Sequence, residues 1–321
     1  MFFRHPLIFG ASCVRLSCLV LALLLVSCAS TQTSPGLNAS GSNGSNSSLE
    51  ELNRREPLAP KRTLRLGLAL GGGAARGFAH VGVLQVLEEA GIKPQLVVGT
   101  SAGSVVAAFY ASGKGASQLL KLSDSMDEST LTDWTVPLIS RGMMRGDALA
   151  KYMNQNLDIK RIEDMKIPLG VVATDLHSGE PILFQRGDAA TAVRASSAVP
   201  AVFQPVQIGG KEYVDGGLVA PVPVRFARQM GADIVVAVDI STPLEANKAD
   251  GMLQILLQTF SIMGKSISDF ELKEADLVVK PALSGIGSAA FSERKRSIDA
   301  GRAAMTQALP QLKILLQKQL P

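Results

Sequence analysis

Two apolar runs in this chain end on small residues and pass directly into helix-compatible segments, which restricts the fold to alternating strands and helices. Arg65-Leu66-Gly67-Leu68-Ala69-Leu70 runs into Gly71-Gly72-Gly73-Ala74-Ala75-Arg76-Gly77. A helical pattern follows to Ala90, with Val81, Leu84, Val86 and Leu87 apolar and Glu88 and Glu89 outward. Gly91 ends that helix and Pro94 prevents its return. The second run, Val97-Val98, reaches Gly99-Thr100-Ser101-Ala102-Gly103-Ser104 before Val105-Val106-Ala107-Ala108-Phe109-Tyr110. Adjacent parallel strands would bring the two turns together at one edge of a sheet.

The chemistry of the two turns is complementary. Gly99 to Gly103 is a G-x-S-x-G pattern, in which small neighbours let the chain close sharply around Ser101 and present its hydroxyl at a helix N-terminus. The same serine could simply cap the helix. The loop Gly71–Gly77 exposes backbone N–H groups at a helix start, which suits an anion. A phosphate cradle would want G-x-G-x-x-G, but Arg76 replaces the last glycine, and the next strand ends in Gly99-Thr100-Ser101 rather than an acid. An oxyanion hole beside a nucleophile fits both turns at once.

A serine nucleophile needs a base. His5 lies in the leader, His80 inside the first helix, and His177 in the polar turn Asp175-Leu176-His177-Ser178-Gly179-Glu180. None sits late in the chain after an acid, where a Ser-His-Asp hydrolase would place it. The better candidate is Asp215, which ends the alternating run Lys211-Glu212-Tyr213-Val214 after a Gly209-Gly210 hairpin turn and precedes Gly216-Gly217. Burial there would raise its pKa and make it a competent base. The Asp-Gly pair equally suits an Asx-turn.

These residues resemble the patatin-like phospholipases, in the bacterial branch similar to the neuropathy-target-esterase catalytic domain. The resemblance runs from about Leu66 to Asp239. It rests on Gly71–Leu84, Gly99–Gly103, Ala173-Thr174-Asp175-Leu176, Val193-Arg194-Ala195-Ser196-Ser197-Ala198-Val199-Pro200 and Asp215-Gly216-Gly217. It implies a Ser–Asp dyad with Ser101 as nucleophile and Asp215 as proton acceptor. The loop bearing Gly71, Gly72, Gly73, Ala74, Arg76 and Gly77 would supply the oxyanion hole, with Gly72, Gly73 and Ala74 the nearest donors. Ala74 stands where other versions of the loop carry a fourth glycine; its donor survives unless the position needs a positive φ. The implied reaction is hydrolysis of phospholipid or lysophospholipid acyl esters, with no metal or other cofactor. A non-catalytic lipid-binding or scaffolding protein on the same fold is the alternative from another class.

The remaining sequence sets the organisation. All the cysteines, Cys13, Cys18 and Cys28, lie near the N-terminus, which excludes a disulfide framework, a zinc–thiolate site and a cysteine nucleophile in the folded domain. Leu16–Val26 is apolar but too short for a span of about twenty residues and fits a secretory h-region. Leu25-Val26-Ser27-Cys28 resembles a bacterial lipoprotein cleavage box, which would make 1–27 a signal peptide and Cys28 a lipidated first residue anchored to the outer membrane. A plain signal peptide cut near Ala29 is the other reading. Residues 28–62 are Ser-, Asn- and Gly-rich and read as a tether. A net charge of +4 without a Lys/Arg tract interleaved with aromatics excludes nucleic acid as a partner.

Residues 63–321 are therefore expected to form one three-layer α/β/α domain around a central, mostly parallel sheet. Within it, the irregular stretch Met126–Gly146, with Trp134, Pro137, Met143 and Met144, is expected to border the acyl entrance, or else to be a surface loop. Met252–Ile267 reads as an apolar helix, by default packed on the core, or else facing a membrane or a homodimer partner. Ile298–Leu320 reads as closing helices broken near Pro310.

Overall fold

The computed structural model describes residues 64–135, 141–244 and 250–317. The expected signal peptide 1–27, Cys28, the tether 28–62 and Pro137 lie outside the described residues. In chain order the elements are β1 (Leu66–Leu70), a 3₁₀ turn (Ala74–Phe78), α1 (Ala79–Glu89), β2 (Leu96–Thr100), α2 (Ala102–Ala111), α3 (Ala116–Ser125), α4 (Glu128–Leu131) and β3 (Gly142–Met144). They continue with α5 (Asp147–Asn156), β4 (Leu169–Asp175), β5 (Pro181–Phe184), α6 (Ala189–Ser196), β6 (Ala201–Phe203), β7 (Val206–Ile208) and β8 (Lys211–Asp215). The chain then forms α7 (Val224–Gln229), β9 (Ile234–Val238), α8 (Met252–Glu271), β10 (Leu277–Val279) and α9 (Arg294–Gln317).

The main sheet has eight strands in the order β10-β9-β1-β2-β4-β8-β7, with β5 also paired to β4. The pairs from β10 through β4 are parallel, whereas β4–β5, β4–β8 and β7–β8 are antiparallel. Alternation along each buried strand divides the core into two layers. Leu68, Leu70, Val97, Val171, Val236 and Val238 face the cluster that also holds residues of α1, α2, α5 and α9. Ala69, Leu96, Val98, Val172, Val235 and Ala237 face α7. Because both faces are covered, these strands read as continuous apolar runs in the sequence.

Two helices differ from expectation. α9 runs unbroken through Pro310. Proline removes one hydrogen bond to the preceding turn, but Met305 and Leu312 on either side of it are fully buried and hold the helix in place. Farther toward its N-terminus, α9 crosses α1 so closely that a Cβ on Gly82 would sit 2.0 Å from the Ile298 carbonyl, and one on Gly301 2.0 Å from that of Ala79. α8 is not core-packed. Only Ser268 and Glu271 of its 20 residues are buried. Its apolar content covers two faces, of which one meets the protein.

Candidate active site

β1 and β2 are parallel neighbours, so the glycine-rich loop and the serine turn emerge side by side. Ser101 occupies a strained backbone conformation, φ 52° and ψ −125°, between β2 and α2, at a cost on the order of 1–2 kcal/mol. The flanking glycines make the turn possible. A Cβ at Gly103 would lie 2.1 Å from the Leu70 carbonyl oxygen, and one at Gly99 2.4 Å from that of Gly103. Hydrogen bonds fix the strained backbone from several directions. The Ser101 N–H donates to Ser196 Oγ at 2.9 Å, and that hydroxyl donates to the Val172 carbonyl at 2.5 Å. Ser104 Oγ donates to the Ser101 carbonyl at 2.6 Å, and Thr100 Oγ1 to that of Ala220 at 2.8 Å.

Strand register carries Asp215 to the same level. Thr100 pairs with Val172 across β2 and β4, and Ala173 pairs with Asp215 across β4 and β8. The β7–β8 hairpin that delivers it turns on Gly209 and Gly210, with φ of 59° and 81°, the geometry of a tight primed turn. Asp215 donates its N–H to the Ala198 carbonyl at 3.0 Å and accepts from Thr174 Oγ1 at its own carbonyl at 2.8 Å. Its Oδ1 accepts from the Gly217 N–H at 2.6 Å, so the Asx-type bond suggested by Asp-Gly is present.

The Ser101 side chain lies near enough to the carboxylate to favour its charged form. Burial raises its pKa to about 6, only partly opposed by the Gly217 N–H and the nearby Ser101 side chain. Gly216 lets the chain leave β8 against β4, since a Cβ there would lie 2.2 Å from the Val172 carbonyl.

The glycine-rich loop is narrower in its chemistry than its sequence. The N–H of Gly71 is taken by the Val238 carbonyl, that of Gly72 by Pro221, that of Ala75 by Ser288 and that of Arg76 by Gly73. These donors hold the loop, which corrects the expectation that Gly71, Gly72 and Arg76 offer theirs to a ligand. The N–H groups of Gly73 and Ala74 have no acceptor among the described residues. Gly77 packs on the start of α2, where its Cβ would meet that of Ala102 at 2.8 Å. Ala74 has a φ of 52°, so the position is one that favours glycine. The Arg76 side chain ties the loop together through the Gly73 carbonyl at 3.1 Å and Thr242 Oγ1.

Neither histidine reaches this chemistry. His80 is fully buried, its Nε2 2.8 Å from the Gly71 carbonyl and its Nδ1 without a partner among the described residues. Burial lowers its pKa to about 4, so the ring is neutral and donates from Nε2. Its work is to hold the loop carbonyl. The His177 side chain is 72% exposed and pairs with Glu212 at 3.1 Å. Among the described residues no group of three or more His, Cys, Asp or Glu side chains could hold a metal ion.

Ser101, Asp215, Gly73 and Ala74 all line one cavity of about 580 Å³, within the range of small-molecule sites. Its walls are mainly apolar: Phe78, Val105, Val106 and Phe109 come from the α1 and α2 region, and Leu257 and Phe260 from α8. Met126, Leu131, Trp134 and Met144, from the irregular stretch, line it as well. Ser196 is the residue that sequence reasoning quoted without a role. Only the contact between α6 and the serine turn reveals it.

A strained serine and a buried aspartate, set in a mostly parallel α/β/α sheet beside a glycine-rich loop, define the class of protein. The family model described as patatin-like phospholipase matches residues 68–228, and the chain belongs to that family. It is 35% identical over 178 residues to an uncharacterized NTE family protein of Mycobacterium tuberculosis, covering 55% of this chain and 49% of that one. It is 34% identical over 190 residues to patatin-like phospholipase domain-containing protein 6 of Mus musculus, covering 57% of this chain and 14% of that one. The chain thus spans about half the length of the mycobacterial relative. Among solved structures, VipD from Legionella pneumophila matches in fold, with a TM-score of 0.54 at 16% identity over 78% of this chain and 67% of that one.

Proposed function

We propose that this protein hydrolyses acyl esters of phospholipids or lysophospholipids, with Ser101 as nucleophile and Asp215 as base. Ser101 Oγ attacks the ester carbonyl carbon while the Asp215 carboxylate takes its proton. The carbonyl oxygen becomes an oxyanion, for which the unpartnered N–H groups of Gly73 and Ala74 are the nearest donors, each worth on the order of 3 kcal/mol by comparison with other acyl-transfer sites. Collapse breaks the bond to the lipid alkoxide, which leaves with the proton from Asp215, and the acyl group stays on Ser101. Water then attacks the acyl carbonyl while Asp215 takes its proton; the acyl–serine bond breaks, Ser101 Oγ takes that proton back, and fatty acid is released.

The observation that carries this reading is the buried, pKa-raised carboxylate of Asp215 on the wall of the same cavity as a strained serine. The apolar cavity supports an acyl chain as the group bound. The family membership supports lipid ester hydrolysis. A lipid anchor at Cys28, holding the domain at the outer membrane of a bacterial envelope, belongs to the same proposal.

The test is product analysis with purified full-length protein on defined phospholipids. Free fatty acid and lysolipid should appear, and Ser101→Ala and Asp215→Asn should each lower the rate by about 10³-fold or more while the fold is kept. An active Asp215→Asn alongside an inactive His80→Gln/His177→Ala double variant would overturn the assignment of the base.

A further inference from the structure

α8 presents opposite faces to two environments. Its inner face, with Leu257, Phe260, Ser261, Gly264 and Ser268, lines the cavity that holds Ser101 and Asp215. At Gly264 it comes close to the segment after Asp215: a Cβ there would lie 3.5 Å from Pro221 and 3.8 Å from the Gly217 carbonyl. Met252, Ile255, Leu256, Ile262, Met263 and Phe270 are exposed, from 38% at Leu256 to 89% at Met252. Their spacing puts them on one stripe along the helix, which spans roughly 30 Å. An exposed stripe of this length is beyond the scattered single hydrophobics of an ordinary surface.

The polar residues within the stripe are turned inward on the helix itself. Thr259 Oγ1 donates to the Ile255 carbonyl at 2.9 Å and Ser266 Oγ to that of Ile262 at 3.4 Å. Those hydroxyls therefore need no outside partner. At the C-terminal end the ammonium of Lys265, hydrogen-bonded to Asp269, together with Lys280 and Lys273 nearby, holds the Asp269 carboxyl below its usual range. Lys265 pairs with Asp269 and Lys280 with Asp239, so charge at this end of the helix is balanced. Trp134, 66% exposed and on the wall of the same cavity, adds an indole, a ring suited to the boundary between headgroups and acyl chains. Among the described residues no helix is long and apolar enough to cross a membrane.

The geometry points to α8 as an interfacial docking helix: its outer stripe lies in the surface of a phospholipid bilayer while its inner face roofs the acyl cavity. A bilayer is favoured over a second copy of the chain because the stripe offers no free polar group to set the register of a protein interface, whereas lipid requires none. Docking this way sets the cavity opening beside the source of its lipid. That consequence rests on the proposed function; the docking itself does not.

The test uses the full chain with vesicles of phosphatidylcholine and phosphatidylglycerol, so any anchoring by the leader is common to parent and variant. The tryptophan introduced by Met263→Trp should be quenched by brominated acyl chains at least about twofold more than Trp134 alone in the parent. Ile255→Ser/Ile262→Ser/Met263→Ser should hydrolyse a soluble short-chain ester within about twofold of the parent but lose about tenfold or more on dilute vesicles, through the lipid concentration needed rather than the saturated rate.

Absence of quenching at Met263→Trp, or unchanged vesicle hydrolysis by the triple variant, overturns the docking. Absence of quenching together with a doubled mass in light scattering assigns the stripe to a dimer instead. Quenching in a protein that cleaves neither ester leaves the docking standing and removes the proposed function.

Discussion

Replacing Asp215 by asparagine should abolish hydrolysis and yet stabilise the protein at neutral pH. The group moves from 3.8 to about 6 on folding, through burial. Between those values the native state holds a proton that the unfolded chain has lost, so stability falls as pH rises across this window and is constant above it. The loss is on the order of 3 kcal/mol. Asparagine keeps an oxygen to accept from the Gly217 N–H and carries no charge to desolvate.

Thermal unfolding of parent and variant, compared between about pH 4 and pH 8, isolates this group because every other titration is common to both. The variant should melt together with the parent near the acid limit. It should melt roughly 6–12 °C higher near pH 8, at about 2–4 °C per kcal/mol for a domain of this size. A gap independent of pH, or a variant less stable than the parent at high pH, would refute the claim that Asp215 is held charged at an energetic cost.

Three further substitutions probe the surroundings of the dyad. His80→Gln should retain most of the hydrolytic rate while lowering stability by about 1–3 kcal/mol, because the buried Gly71 carbonyl loses a well-placed donor; denaturant unfolding checks it. Ser196→Ala should leave the Ser101 N–H without its acceptor and lower kcat by about tenfold with little change in KM, as measured on a soluble ester. Ala74→Gly should raise stability by up to about 1 kcal/mol, since glycine meets no penalty at a φ of 52°, and calorimetry reads the change directly.

Much of the architecture was legible because buried parallel strands have no polar face to hide. Leu66–Leu70, Leu96–Thr100 and Ile234–Val238 are apolar on both sides in the sequence and buried on both sides in the fold. The nucleophile turn was legible for a steric reason, since Gly99 and Gly103 each sit where a Cβ would strike a carbonyl. The loop donors were not legible. Whether Gly71, Gly72 or Gly73 keeps a free N–H depends on Val238 and Pro221, residues more than a hundred positions away in the chain. Likewise, periodicity in α8 identified a helix but not its environment, because Leu257 and Phe260 on one side and Ile255, Ile262 and Met263 on the other are equally apolar. Pro310 misled because sequence patterns do not show how firmly Met305 and Leu312 grip the helix around it.

The most direct measurement is the site and rate of covalent modification by a fluorophosphonate, followed by peptide mass analysis across pH. The account predicts a single adduct on Ser101, a rate that rises with pH through about 6 as Asp215 ionises, and a fall of about 10³-fold or more in Asp215→Asn. An adduct on another residue, or labelling of Ser101 that is indifferent to both pH and Asp215, would contradict it.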